Sequence, residues 1–178
     1  TKPQPASDAP VTLFFGALNR QEEYQPILPA LHRIIDAHRD RLRIIVVHDQ
    51  QFFDAMPTTH KQFSKWAPYD QYLKLLEQSD IALLPLLPGR FNSMKSDIKF
   101  LECSSRGVAV LASPTVYAQS VRDGETGLIY HDDREFEDKL TQLVRDGSLR
   151  RRLAKNAHQY VAQQRMLSQD RKSTRLNS

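Results

Sequence analysis

Leu42-Arg43-Ile44-Ile45-Val46-Val47 runs directly into His48 and Asp49. Four of its six residues are β-branched and only one is polar. Such a run, with no polar alternation, reads as a strand covered on both faces. Upstream, Gln21 to His38 carries Ile27, Leu28, Leu31, Ile34 and Ile35 at helical spacing, with Pro26 and Pro29 disturbing its first turns. Before that, Val11 to Phe15 is another short apolar run, closed by Gly16. Downstream the alternation continues. Gln50 to Met56 reads as a short helix, Gln62 to Trp66 as an edge strand, and Tyr69 to Gln78 as a helix with Tyr72, Leu75 and Leu76 inward. Ile81 to Leu86 and Val108 to Ala112 are further buried strands, separated by a helix over Lys95 to Arg106 that stops at Gly107. Pro114 to Ser120 reads as a short helix, Leu128 to Tyr130 as a short strand, and Phe136 to Val144 and Leu149 to Gln164 as closing helices. The pattern predicts an α/β fold: a Rossmann-like parallel sheet with helices on both faces, six strands in the order 3-2-1-4-5-6.

Composition agrees with a folded domain. Hydrophobic residues make up 40% and charged residues 26% of the 178, which excludes a low-complexity or strongly charged disordered chain. The apolar run Ile81 to Leu87, interrupted by Pro85, is far shorter than the ~18 residues a membrane span needs. One cysteine, Cys103, excludes an internal disulfide and a multi-cysteine zinc site, and reads as buried filler. The six histidines show no metal-ligand spacing, so no metal is expected. The net charge is +4, but without the nine residues from Asp170 there remain 22 cations and 20 acids. Arg150, Arg151, Arg152 and Lys155 read as the solvated face of a helix. Nucleic acid is not expected as a partner, because no aromatic or glycine pattern accompanies the basic residues. Residues 1–10, with three prolines, read as a linker, 11–166 as the domain, and 167–178 as a disordered or non-native tail.

In parallel α/β sheets ligands sit beyond the carboxyl ends of the strands. Four stretches lie there: Gly16 to Arg20, His48 to Gln50, Pro85 to Lys99, and Ser113 to Tyr117. The first is neither a G-x-G-x-x-G fingerprint nor a Walker loop. It offers Gly16 for a tight turn, then Asn19 and Arg20, whose guanidinium suits a phosphate or simply the loop surface. The third is the richest, with Arg90, Lys95, Ser96, Asp97 and Lys99, and Glu102 follows three residues after Lys99. Ser96 or Asp97 could cap the following helix, whose first amides could hold a phosphate. Lys99 and Glu102 could equally form a pair on a solvated helix face. Asp49 reads best as a helix cap, Tyr117 as packing, and Trp66 as a core or loop residue at least as readily as a stacking platform.

Five pieces in order carry a resemblance: Pro85 ending a strand, Leu101-Glu102-Cys103 on a helix, Gly107-Val108-Ala109-Val110, the turn Asp123-Gly124-Glu125-Thr126-Gly127-Leu128, and the closing segment DKLTQLVRDGSLRRRLAKNAHQYV. From Tyr69 to Arg165 the chain resembles the C-terminal, donor-binding half of family 4 retaining glycosyltransferases, which have the GT-B architecture of two Rossmann-like domains. The resemblance implies a hexosyltransferase that takes a nucleotide-diphosphate sugar as donor and a glycan, lipid or protein as acceptor, without a metal or other cofactor. It implies a further, N-terminal domain as partner, and a cytoplasmic protein whose contact with the inner membrane face would come through that domain.

The resemblance assigns roles residue by residue. Glu102 would hold the ribose hydroxyls. Gly16, Asn19, Arg20, Ser96 and Asp97 would line the donor, and Arg20, Lys95 and Lys99 would stabilise the leaving diphosphate. One position departs from the family: a second glutamate expected eight residues before Glu102 is Met94 here, and Lys95, Ser96 and Lys99 fit a variant Lys-Ser-x-x-Lys form. Two other readings stand beside transfer: half of a sugar-nucleotide epimerase, and a non-catalytic nucleotide-sugar-binding or scaffold module.

Overall fold

The computed structural model describes residues 9–176, with side chains through residue 164. The segment 1–8 of the expected linker lies outside the described residues. The described residues form six strands: β1 (Val11–Gly16), β2 (Leu42–Val47), β3 (Lys61–Ser64), β4 (Ile81–Leu84), β5 (Ala109–Ala112) and β6 (Leu128–Ile129). All pair in parallel in one sheet of order β3-β2-β1-β4-β5-β6, as the pattern predicts. Register places Phe14 beside Ile45 and Ala82, and Leu83 beside Leu111.

The two faces of this sheet build two cores, which is why the strands show no polar alternation. Leu13, Phe15, Ile44, Val46, Ile81, Leu83 and Leu111 face one core. Phe14, Ile45, Val47, Ala82, Leu84, Val110 and Ala112 face the other. Neighbouring residues on a strand point to opposite faces, so the central strands are apolar at nearly every position to fill both, whereas the edge strand β3 (KQFS) is largely polar.

Helices α1 (Gln21–Tyr24), α2 (Leu28–Ala37), α3 (Gln50–Ala55) and α7 (Asp133–Arg145) cover the first face with Tyr24, Leu31, Ile35, Phe52, Phe136 and Leu140. Helices α4 (Tyr69–Glu77), α6 (Ile98–Ser105) and α8 (Gly147–Leu176) cover the second with Tyr72, Leu76, Phe100, Cys103, Ala157 and Val161.

Local chemistry explains where the helices differ from the sequence reading. The expected helix over Gln21 to His38 is split: a 3₁₀ turn at Gln25–Ile27 separates α1 from α2. Pro26 and Pro29 lack the N–H that a continuous helix would use. The expected helix over Lys95 to Arg106 begins only at Ile98, as α6, and a short helix that was not expected, α5 (Arg90–Ser93), precedes it. Pro114 to Ser120 holds no α-helix, only a 3₁₀ turn at Tyr117–Gln119. Asp49 caps α3 as read, its carboxylate accepting the N–H of Phe52 at 2.9 Å. Helix α8 continues to Leu176, past the boundary expected at residue 166; side chains of the tail lie outside the described residues.

The basic run at 150–155 is not uniformly solvated. Arg150 is only 9% exposed, and its guanidinium donates to the carbonyls of Leu143 (2.5 Å) and Val144 (3.1 Å). It thereby closes the C-terminal end of α7, where helix carbonyls lack intrahelical partners. Replacing Arg150 by Met keeps the aliphatic stem and removes both donors. The expected loss is about 1–2 kcal/mol, seen as a melting temperature lower by about 2–8 °C at this chain length. A shift below one degree in a thermal melt would show that the cap contributes nothing.

Candidate functional site

The carboxyl edge of the sheet is where the backbone departs from ordinary geometry. Asn19 (φ 55°), His48 (φ 77°) and Val116 (φ 69°) follow β1, β2 and β5 there. The left-handed region disfavours residues with a side chain, a β-branched valine above all, and such conformations gather at functional sites.

Two groups of polar side chains meet at this edge. The first surrounds Glu23 on α1. Its Oε1 lies 3.8 Å from the Arg20 guanidinium and 4.0 Å from the Lys95 ammonium, and accepts the Asn92 side-chain amide at 2.8 Å. Its Oε2 accepts the N–H of Leu87. Lys95 also donates to the Asn92 carbonyl oxygen and stands 4.9 Å from the Phe91 ring centre. The backbone N–H of Arg20 donates to the Asp49 carboxylate at 3.4 Å, so the cap of α3 also anchors the first loop. Burial and the neighbouring Arg20 hold the Lys95 ammonium below its ordinary pKa, while Glu23 opposes the shift.

The second group surrounds Lys99 and Glu102 on α6. The Lys99 ammonium donates to the carbonyl of Gly16 and stands 5.6 Å from the Tyr72 ring centre. The Tyr72 phenol lies near the Glu102 carboxylate, whose charge helps it keep its proton, and the buried ring packs edge-on against Phe14. Burial pulls the Lys99 ammonium down from its usual pKa, with Glu102 and Cys103 opposing. Burial likewise pushes the Tyr72 and Tyr117 phenols up, so both stay protonated donors across the physiological range. The solvated-face reading of Lys99 and Glu102 is therefore corrected: the ammonium is turned onto the end of β1, and the half-buried carboxylate lies near the Tyr72 phenol. Cys103 is buried, as expected of packing.

Two expected site residues point elsewhere. Asp97 stands at the N-cap position of α6 without capping it; its carboxylate accepts the Ser120 hydroxyl. It lines a separate cavity of about 260 Å³ with Phe100, Leu101, Ser120 and Tyr160. Ser96 is exposed and caps nothing that the structure describes. Both corrections have one cause: α6 starts three residues later than read, so Ser96 falls in the loop and Asp97 turns toward the 3₁₀ segment. Asn19 is exposed on the rim, and Gly16 is buried. Trp66 is 75% exposed, so the core reading of it is wrong. With Leu18, Tyr69, Phe91 and Met94 it belongs to the large apolar side chains left exposed. Tyr117 is buried, as the packing reading has it.

The residue that sequence reasoning missed is Glu23. Its one sequence signal is the i,i+3 spacing from Arg20 on a helix start. Its ties to Leu87, Asn92 and Lys95 span more than sixty positions and exist only in the fold.

Among the described residues there is no group of three or more His, Cys, Asp or Glu placed to hold a metal, and no helix long and apolar enough to cross a membrane. Chemically, the edge offers cations arranged around acceptors, amide donors, and one half-buried carboxylate beside a phenol. That set suits an anionic ligand with vicinal hydroxyls.

Comparison with known proteins gives this edge a context. The C-terminal domain of LpcC, a glycosyl transferase group 1 family protein from Francisella tularensis, superposes with a TM-score of 0.66 at 17% identity, covering 87% of each chain. WaaG, a glycosyltransferase involved in lipopolysaccharide biosynthesis, gives 0.68 at 18% identity over 87% of this chain and 43% of its own. Alr3699/HepE from Anabaena, solved with UDP and glucose, gives 0.71 at 15% identity over 96% of this chain and 49% of its own. The chain thus spans a whole domain of the first and about half of the other two. No curated protein matches it. The architecture is that of the C-terminal domain of GT-B glycosyltransferases. The sequence pattern of the glycosyl transferase-like family covers residues 20–176, nearly the whole described chain, and the protein belongs to that family.

Proposed function

We propose that this chain is the donor-binding domain of a retaining, family 4 hexosyltransferase, and that the carboxyl edge of its sheet takes the nucleotide-diphosphate sugar. The observation that carries the reading is the convergence of Arg20 and Lys95 on one point of that edge, beside Gly16, Lys99 and Glu102. The structure solved with UDP and glucose supports the ligand class.

In this reading the Arg20 guanidinium and the Lys95 ammonium face the diphosphate. As the sugar–oxygen bond breaks, negative charge gathers on the leaving group, and cations already in place stabilise it without reorganising. Glu102, beside Tyr72, accepts hydrogen bonds from the ribose hydroxyls. Lys99, held on the Gly16 carbonyl, fixes the spacing between β1 and α6 and adds its charge to the same edge. Gly16 and Asn19 shape the first turn. Ser96 reaches the ligand only through its backbone, and Asp97 has no direct part. The reading uses no metal and no further cofactor. The acceptor, be it glycan, lipid or protein, meets a second domain, and the protein works in the cytoplasm.

Calorimetric titration with UDP, GDP and ADP tests this. At least one should bind, and Arg20→Ala should weaken it by about tenfold, the value of one charge-assisted contact. Equal affinity in the variant would remove Arg20 from the site, and no binding by any nucleotide would end the donor reading.

A further inference from the structure

Glu23 occupies an unusual place for a carboxylate at a site that takes anions. Its oxygens face four donors: the Arg20 guanidinium at 3.8 Å, the Lys95 ammonium at 4.0 Å, the Asn92 amide at 2.8 Å, and the Leu87 N–H. Its side chain is 11% exposed. Two cations, one side-chain amide and one backbone amide are also what a phosphoryl group would recruit. The donors are thus assembled around an internal anion that is part of the chain.

We propose that Glu23 is a specificity-determining residue of this site: an internal counter-ion that sets its charge to match a diphosphate and penalises a triphosphate. The inference rests on the donor-site reading above. Its physical basis is the distance dependence of Coulomb interaction. A ligand whose phosphates reach Arg20 and Lys95 must come close to the Glu23 charge, because both cations lie within 4.0 Å of it. Each further negative charge on the ligand is then repelled by the same fixed charge. A sugar diphosphate carries about −2 at neutral pH, a nucleoside diphosphate about −3 and a nucleoside triphosphate about −4. The repulsion grows along that series.

A purely structural latch would behave differently. Glu23 joins α1 to the segment 87–95, so loosening it would displace Arg20 and Lys95 for every ligand alike. A latch changes all affinities by one factor, and a counter-ion changes them in proportion to charge.

The experiment is a metal-free calorimetric titration of the whole chain with three pairs: UDP and UTP, GDP and GTP, ADP and ATP. The readout is the ratio of triphosphate to diphosphate dissociation constants within the pair whose diphosphate binds. Glu23→Gln keeps the shape and an acceptor oxygen, and should narrow that ratio by about tenfold in favour of the triphosphate, the equivalent of roughly 1.4 kcal/mol. Asn92→Ala loosens Glu23 and Lys95 while leaving both charges, and should change both affinities by a common factor. A ratio unchanged in Glu23→Gln, or narrowed equally by Asn92→Ala, overturns the inference while leaving the donor reading intact. Failure of every nucleotide to bind wild type overturns both.

Discussion

Glu102→Gln is expected to weaken nucleoside-diphosphate binding by about ten- to a hundredfold, with folding preserved. The wild-type carboxylate lies near the Tyr72 phenol, and Lys99, on the same helix, is turned away onto Gly16. Hydrogen bonds to a charged acceptor contribute about 1.5–3 kcal/mol, and each 1.4 kcal/mol is about a factor of ten. Gln presents one acceptor where Glu presents two, and its amide N–H₂ faces ligand hydroxyls with a donor. The side chain is half-buried at the edge of the second core and outside it, so the melting temperature should hold within about 2 °C. Calorimetric titration of wild type and variant checks the affinity. Equal dissociation constants would place the carboxylate outside the ligand's reach, and the assignment of Glu102 to the ribose would have to be abandoned.

Gly16→Ala is expected to injure stability and binding together. A Cβ at this position would lie 2.6 Å from the Phe14 ring and 2.8 Å from the Tyr72 ring. Both rings are buried and packed edge-to-face with centroids 5.5 Å apart, so neither can swing freely aside. Overpacking of this kind costs about 1–3 kcal/mol, or about 2–12 °C in melting temperature for a chain of this size. The Tyr72 ring also lies near Glu102 and underlies the Lys99 ammonium, and the Gly16 carbonyl is the acceptor of that ammonium. Nucleotide affinity should therefore fall by about tenfold or more. A melt and a titration on the same preparation decide the matter. An unshifted melting temperature would mean that Phe14 and Tyr72 give way without cost; lost stability with intact affinity would separate Tyr72 from the site.

Most of the architecture was legible from periodicity. LRIIVV and its apolar counterparts have to be buried on both faces, and five such runs and one polar edge strand, alternating with helices, admit few topologies other than the parallel sheet observed. The carboxyl-edge rule then located Gly16, Arg20, Lys95 and Lys99 within one region, and the family resemblance added Glu102. Asp49 as a cap and Cys103 as packing followed from local chemistry alone, because a cap is made within three residues and an apolar helix face is set by its spacing.

What the chain order could not reveal was the orientation of those side chains. The start of α6 depends on how the segment 85–97 folds against α1, and a shift of three residues sent Asp97 to Ser120 and left Ser96 in the loop. Lys99 and Glu102 look like an ordinary i,i+3 surface pair until packing brings the end of β1 under one and Tyr72 near the other. Arg150 reads as one more cation in a basic run until α8 packs back across the end of α7. Glu23 acquires its role only when residues far away in sequence converge on its carboxylate. Periodicity records which face of an element is apolar, and that fixes a sheet and its layers. Partners of a polar side chain are set by contacts between elements, which have no period in the sequence to betray them.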